Sequence, residues 1–497
     1  MIFTKEEHSP WYKRVLFHWV SPLISVGKRE HVSDQHLFEL NSSEDSAECG
    51  EKFFTTLQRY QVHKSRPVLR TMWSLHKKTF FFISCLAFLN LVFVTLNPLI
   101  IREILKTLKS TEPIANTGWL LAAALTCSAL LANLSIHHVY HSSLKLGMRI
   151  RAGLVVSIYK KSLQLNPAAR ARSSTGEIVN LMANDAARVY NVASMLHSAW
   201  VLPVQTIIIL VALFFILGTS TLAGVAVMVL LLWFSSRRAK KMMQGRRRLM
   251  EFSDQRVSLM NEILAGIRVI KFYAWEKSFF SRIRSFRAQE LGELNSLARE
   301  SALVNILFLS TPIFVGIATF SAHLALNGSL NVEDVFSALA FFGILRPIMS
   351  QMPMTFSGYI DANIAVKRVE DFLGRGTFPD RTHTVELSAG EIHLSSGNLT
   401  WEKTKSGIRI PDLHICPGEL VVVLGPVGAG KTTLLHAIMN ELEDSNRLIH
   451  STGQFAYVPQ LPWILNGTVR ENIQLGEGDK SLVYRNAIAA CCLEDDL

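Results

Sequence analysis

Eight consecutive residues, Gly425-Pro-Val-Gly-Ala-Gly-Lys-Thr432, have the types and spacing to hold a polyphosphate. The glycines let the backbone curl so that successive N–H groups point inward at an anion. The cradle runs through Gly425, Pro426, Val427, Gly428, Ala429 and Gly430. Lys431 can then reach the β/γ-phosphates, and the Thr432 hydroxyl can ligate Mg²⁺. Thr433 stands beside them. Such a loop needs a strand before it and a helix after it. Leu420-Val-Val-Val-Leu424 reads as a buried strand, and the run from Leu434 reads as a helix whose N-terminus adds partial positive charge. Alone, the motif specifies only a nucleoside triphosphate.

The elements that must position this loop follow a very different composition. The chain has 497 residues, is 49% hydrophobic and only 18% charged. Charge that sparse in so long a chain points to a membrane. Residues 79–101, 118–144, 189–236 and 301–332 carry no charge, and 335–360 carry one, Arg346. Each is long enough to cross a bilayer. The longest is interrupted by Leu217-Gly-Thr-Ser-Thr-Leu222 and reads as two spans, so six are expected.

Loop charge sets the orientation. Residues 145–188 carry Lys145, Arg149, Arg151, Lys160, Lys161, Arg170, Arg172 and Arg188 against Glu177 and Asp185. Residues 237–248 carry seven basic residues and no acid. Basic loops stay in the cytoplasm, so both chain ends are placed there. The net charge of +11 sits beside apolar segments, which favours anionic membrane lipid over nucleic acid as its partner. Ser143–Leu165 and Lys240–Ile263 read as helices continuing out of the membrane, with short breaks at their tips. Six cysteines show no metal spacing.

The division expected is a cytosolic N-terminal segment (1–68), a six-helix membrane domain (69–373), a linker (374–391) and a partial α/β nucleotide domain (392–497). Tyr457-Val-Pro-Gln460, then Trp463-Ile464 and Thr468-Val-Arg-Glu-Asn-Ile473, resemble the Q-loop of ABC ATPases in the form of the multidrug-resistance-protein, or C, subfamily. Ser174–Asp185 and Met260–Glu276 resemble that subfamily's first and second intracellular coupling segments. Ala365–Leu373 resembles its exit helix, and residues 9–29 its N-terminal lasso.

The resemblance implies the type I ABC exporter fold, with ATP and Mg²⁺ bound at the phosphate loop. It implies that Trp401 stacks on adenine and that Gln460 joins Thr432 at the metal. It further implies that closure of two nucleotide domains pulls on the tips near 166–178 and 264–275, with Trp463 touching one tip. The chain carries no LSGGQ-type signature, acidic Walker B strand or switch histidine, so no catalytic base is named. An N-terminal half is therefore expected, with a second membrane half and a second nucleotide domain as its partners. The function implied is ATP-driven efflux of amphipathic organic anions or conjugates. An ATP-gated channel or regulatory subunit of the same subfamily, or a non-functional truncated product, is the alternative. Ionisable groups inside spans usually line a cavity, so Arg102, His137 and Arg346 are the substrate candidates; arginine forks well onto carboxylate, sulfate or phosphate. Plasma and vacuolar or lysosomal membranes are both compatible.

Overall fold

The computed structural model describes residues 6, 9–33, 36, 44–61, 65–109, 115–166, 169–170, 173–377, 390–399, 408–439, 441–442, 449–451, 455–460, 463–475 and 481–496. The chain forms two compact units, one of residues 1–165 with 169–377, the other of 166–168 with 378–497.

The first unit is helical throughout. Three helices precede the apolar ones: α1 (Trp11–Val15), α2 (Ser21–Gly27) and α3 (Ser46–Gln61). Then come α4 (Pro67–Lys109), α5 (Ala115–Gln164), α6 (Thr175–Asn180), α7 (Ala186–Ser194), α8 (Ser198–Leu217), α9 (Thr221–Ala265), α10 (Ile267–Phe272), α11 (Glu276–Asn327) and α12 (Val332–Leu373). Five helical runs among the described residues are long and apolar enough to cross a membrane. One of them, Thr175–Ala265, is divided by a 3₁₀ turn at Gly218–Ser220 into α8 and α9, giving the six crossings α4, α5, α8, α9, α11 and α12. Helices suit this solvent because each satisfies its own backbone groups. Proline is tolerated inside them, at Pro98, Pro203, Pro312, Pro347 and Pro353. At 1.5 Å per residue the 50 residues of α5 run for about 75 Å, well over twice the hydrocarbon thickness. The excess is the extramembrane extension expected from the sequence.

Packing depends on close backbone approach. A Cβ on Gly153 of α5 would lie 2.6 Å from the Phe53 ring of α3, and one on Gly50 of α3 would lie 2.5 Å from Val156. Phe53 and Leu57 join Leu154, Ile158, Val366 and Phe372 in one buried cluster. A second cluster holds Ile209, Leu213, Val315, Phe341 and Leu345. Three of the seven basic residues at the start of the α9 extension, and Arg256 beyond them, pair with acids of α11. Arg238 and Lys241 meet Glu300 at 3.1 and 2.9 Å, Arg248 meets Glu293 at 2.9 Å, and Arg256 meets Glu290 at 3.0 Å. Arg287 and then Arg256 hold the Glu290 carboxyl below its usual range.

The N-terminal segment is fastened to α5. Glu6 pairs with His141 at 3.1 Å and with Lys145, while Phe17 stacks on His138 with ring centroids 4.6 Å apart. The hydrogen bond from His141 is the largest influence on Glu6, whose pKa falls to about 2.

The second unit pairs short strands β1 (Ile392–Leu394), β2 (Gly397–Leu399), β3 (Ile408–Ile410), β4 (Leu413–Ile415) and β5 (Ile449–Ser451). One sheet has the order β4-β1-β5, the other β2-β3, all antiparallel. Three helices complete it: α13 (Lys431–Ile438), α14 (Val469–Gln474) and α15 (Ser481–Ala490). Its core gathers Leu394, Leu399, Ile410, Ala437, Leu442 and Ile449. The buried strand expected at 420–424 is not formed. That run has no strand assignment, and Leu420 and Leu424 are 89% and 87% exposed. An apolar strand is buried by neighbours on both edges and layers on both faces, and no described strand pairs with this one.

Candidate functional site

The phosphate loop is curled at its glycines. Gly428 and Gly430 adopt φ of 86° and 93°, the left-handed region that glycine enters without cost. Gly430 caps α13, and a Cβ there would sit 2.0 Å from Ile408 Cδ1, so the loop lies directly on β3. The Ala429 N–H donates to the Pro426 carbonyl at 3.2 Å, closing the loop's turn. Lys431 Nζ donates to the carbonyls of Gly425 (2.7 Å) and Pro426 (2.8 Å), which holds its ammonium over the loop. Thr432 is exposed at the mouth, whereas Thr433 is buried and turned into the domain. These residues fit a nucleoside triphosphate: a curled backbone, a helix N-terminus and one lysine ammonium.

Gln460 lies exposed in a bend, and no hydrogen bond among the described residues ties it to Thr432. Sequence reasoning missed what brings its segment to α13. His436 of that helix lies against the Tyr457 ring, centroids 5.6 Å apart, three residues before Gln460. Further on, Asn472 accepts from the Leu465 N–H at 2.7 Å and donates to the Leu465 carbonyl at 3.0 Å. Thr468 and Glu471 form a reciprocal capping box on α14, a T-x-x-E signature legible in the sequence. Trp401 lies outside the described residues. No group of three or more His, Cys, Asp or Glu side chains placed to hold a metal ion occurs among the described residues.

In the helical unit the three substrate candidates are not brought together. Arg102 forks onto Asp334 at the start of α12, with Nε at 2.8 Å and Nη2 at 2.7 Å. His137 and Arg346 are exposed on α5 and α12. A different set of uncharged polar groups does converge. Asn90, Tyr140, His197, Gln205 and Gln351 line a cavity of about 180 Å³ among α4, α5, α8 and α12. Amides inside apolar runs were the available signal. The first tip segment is anchored to the residues just beyond α12. Ser174 caps α6 by accepting the Glu177 N–H at 3.1 Å, and Arg375 clamps the Glu177 carboxylate at 2.7 and 3.0 Å. The Arg375 hydrogen bond holds Glu177 below its usual pKa. Asp185, wholly buried, pairs with Arg368 at 3.0 Å. On the second tip Phe272 is 86% exposed, and Tyr273 stacks on Trp275 at 5.2 Å.

Comparison with known proteins gives the arrangement its context. The family model of the ABC transporter transmembrane region matches residues 80–349, and that of the ABC transporter matches residues 408–494. The chain is 30% identical over 526 residues to ATP-binding cassette sub-family C member 3 of Mus musculus, covering 99% of this chain and 34% of that protein. With sub-family C member 2 of Homo sapiens it shares 32% identity, over 84% of this chain and 28% of the relative. With ABC transporter C family member 8 of Dictyostelium discoideum it shares 26%, over 99% and 31%. The chain thus spans about a third of the length of these relatives.

Proposed function

The chain belongs to the ABC transporters, in their C subfamily, and from that premise we propose that it serves ATP-driven movement of amphipathic organic anions or conjugates out of the cytosol. The observation that carries this reading is the glycine cradle with Lys431 held over it, on the same polypeptide as six lipid-crossing helices. Lys431 neutralises the β/γ-phosphates of ATP. Thr432 and Gln460 hold Mg²⁺, which when bound supplies charge stabilisation at those phosphates. Trp401 stacks on the base. A second membrane half and a second nucleotide domain complete the transporter, and the nucleotide clamp drives helix tilting through the tip segments. Arg346 and His137 meet the anion. Arg102 does so by exchanging the Asp334 carboxylate for that of the substrate. The membrane is the plasma membrane or a vacuolar or lysosomal one.

Photolabelling with azido-ATP and Mg²⁺ tests the nucleotide site. Lys431→Ala should abolish labelling; undiminished labelling would overturn the assignment. Uptake of an anionic conjugate against its gradient into inside-out vesicles, dependent on ATP, tests the direction. A current with no uphill flux would instead make the assembly a gated pore.

A further inference from the structure

Two adjoining hollows near the cytosolic end of α4 match no part of the transport reading. The first, about 450 Å³, is lined by Tyr60, Arg66, Arg70 and Lys77, with Ser65 and Ser74 between them. The second, about 300 Å³, is almost wholly apolar, with Met72, Phe80, Ile150, Val192, Ala193 and Val366 in its wall. They share Leu69 and Trp73. Positions 66, 70, 73 and 77 follow one another at helical spacing, so three cations and an indole form one stripe. Uncharged sequence begins at Thr79, which puts the stripe at the level of the cytosolic headgroups.

The charges in the basic hollow are underused. Arg70 Nη1 is buried with no hydrogen-bond partner, a position that ordinarily demands an anion. Glu370 of α12 accepts from the Val68 N–H at 3.0 Å and lies within electrostatic reach of Arg66, leaving Arg70 and Lys77 to an outside anion. In the apolar hollow the polar groups are quiet. The Tyr359 hydroxyl donates to the Leu196 carbonyl at 3.0 Å, and burial, aided by Arg149, lowers the pKa of His76 to about 4, leaving it neutral.

We propose that this composite pocket binds an anionic phospholipid of the cytosolic leaflet, its headgroup phosphate on Arg66, Arg70 and Lys77 and one acyl chain in the cavity between α4, α5, α7 and α12. The shared chemistry, an anionic head on an apolar tail, also describes a soluble amphipathic anion. The height of the stripe at the membrane surface selects the lipid.

The test uses the full chain in phosphatidylcholine nanodiscs, reading the fluorescence component lost in Trp73→Phe. Brominated phosphatidylserine at a few mole per cent should quench that component, and brominated phosphatidylcholine at the same fraction should not. Equal quenching by the two would overturn the proposal, as would none, and this measurement needs no engineered pocket. Arg66→Gln/Arg70→Gln/Lys77→Gln should weaken the phosphatidylserine effect on the order of a hundredfold. Ala193→Phe, which leaves every cation in place, should also abolish it, and an unaltered response in either variant would sink the corresponding half of the site. Glycerophosphoserine, a headgroup without a tail, should fail to displace the lipid; displacement would overturn tail binding. Displacement by a soluble aryl sulfonate at micromolar concentration would overturn the lipid assignment in favour of soluble cargo.

Discussion

The helical unit and the nucleotide unit solve the burial of apolar sequence in opposite ways. In the long helices α4, α5, α8, α9, α11 and α12 most backbone groups away from the ends and the prolines find their partners within their own helix, and the long runs read from the sequence appear as helices. In the nucleotide unit the equally apolar run 420–424 stays exposed, because a strand depends on residues elsewhere for each of its hydrogen bonds. Local completeness makes the first unit legible and self-consistent. Non-local completion leaves the second organised mainly where its structure is local, at the phosphate loop and α13.

The largest expected effect would break the nucleotide side of this contrast alone. Gly430→Val forces a β-branched residue to φ 93° and into Ile408. Azido-ATP labelling should fall to the level of Lys431→Ala while the melting of the helical unit is unchanged; retained labelling would show that the cradle does not need this backbone. Next comes pH, acting on the helical side. His76 has a folded-state pKa of about 4 against an ordinary 6.5. Between those values the unfolded chain binds more protons, so its contribution is complete above pH 6.5 and lost as pH falls to about 4, a change of about 3 kcal/mol. Melting in detergent across that window should show the loss, and His76→Phe should flatten it. A smaller effect sharpens the packing account. Gly153→Leu meets Phe53 and should cost about 1–3 kcal/mol, lowering the melting midpoint while leaving labelling per folded molecule intact. An unchanged midpoint would show that α3 is a loose appendage.

What could be read beforehand follows the same division. Six crossings, the turn at 218–220 and the extended helices were legible because uncharged length and glycine placement are local properties. The phosphate loop was legible because its chemistry is written in contiguous residues, Gly425 to Thr432. Illegible were the partners: Asp334 for Arg102, the α11 acids for the basic run on α9, Tyr457 for His436. Nothing in single-chain spacing says which distant residue a side chain will meet. The failure at 420–424 is of this kind, since its type was read from composition and its burial depended on neighbours the composition does not name. The cavity lined by Asn90, Gln205 and Gln351 was illegible for the same reason: spacing does not say which polar groups on four separate helices will face one another.

The turn at Gly218–Ser220 is short, and it is pinned. His323 of α11 lies 3.1 Å from the Leu217 carbonyl and 3.4 Å from the Ser220 hydroxyl, and the Thr221 hydroxyl donates to the Leu213 carbonyl at 3.0 Å. Three residues leave no slack for α8 to ratchet along α9 by a helical pitch of about 5.4 Å. The two must travel as one hairpin with α11 in tow. Motion of this pair is therefore a swing about the turn, like a hinged leaf rather than a sliding bolt.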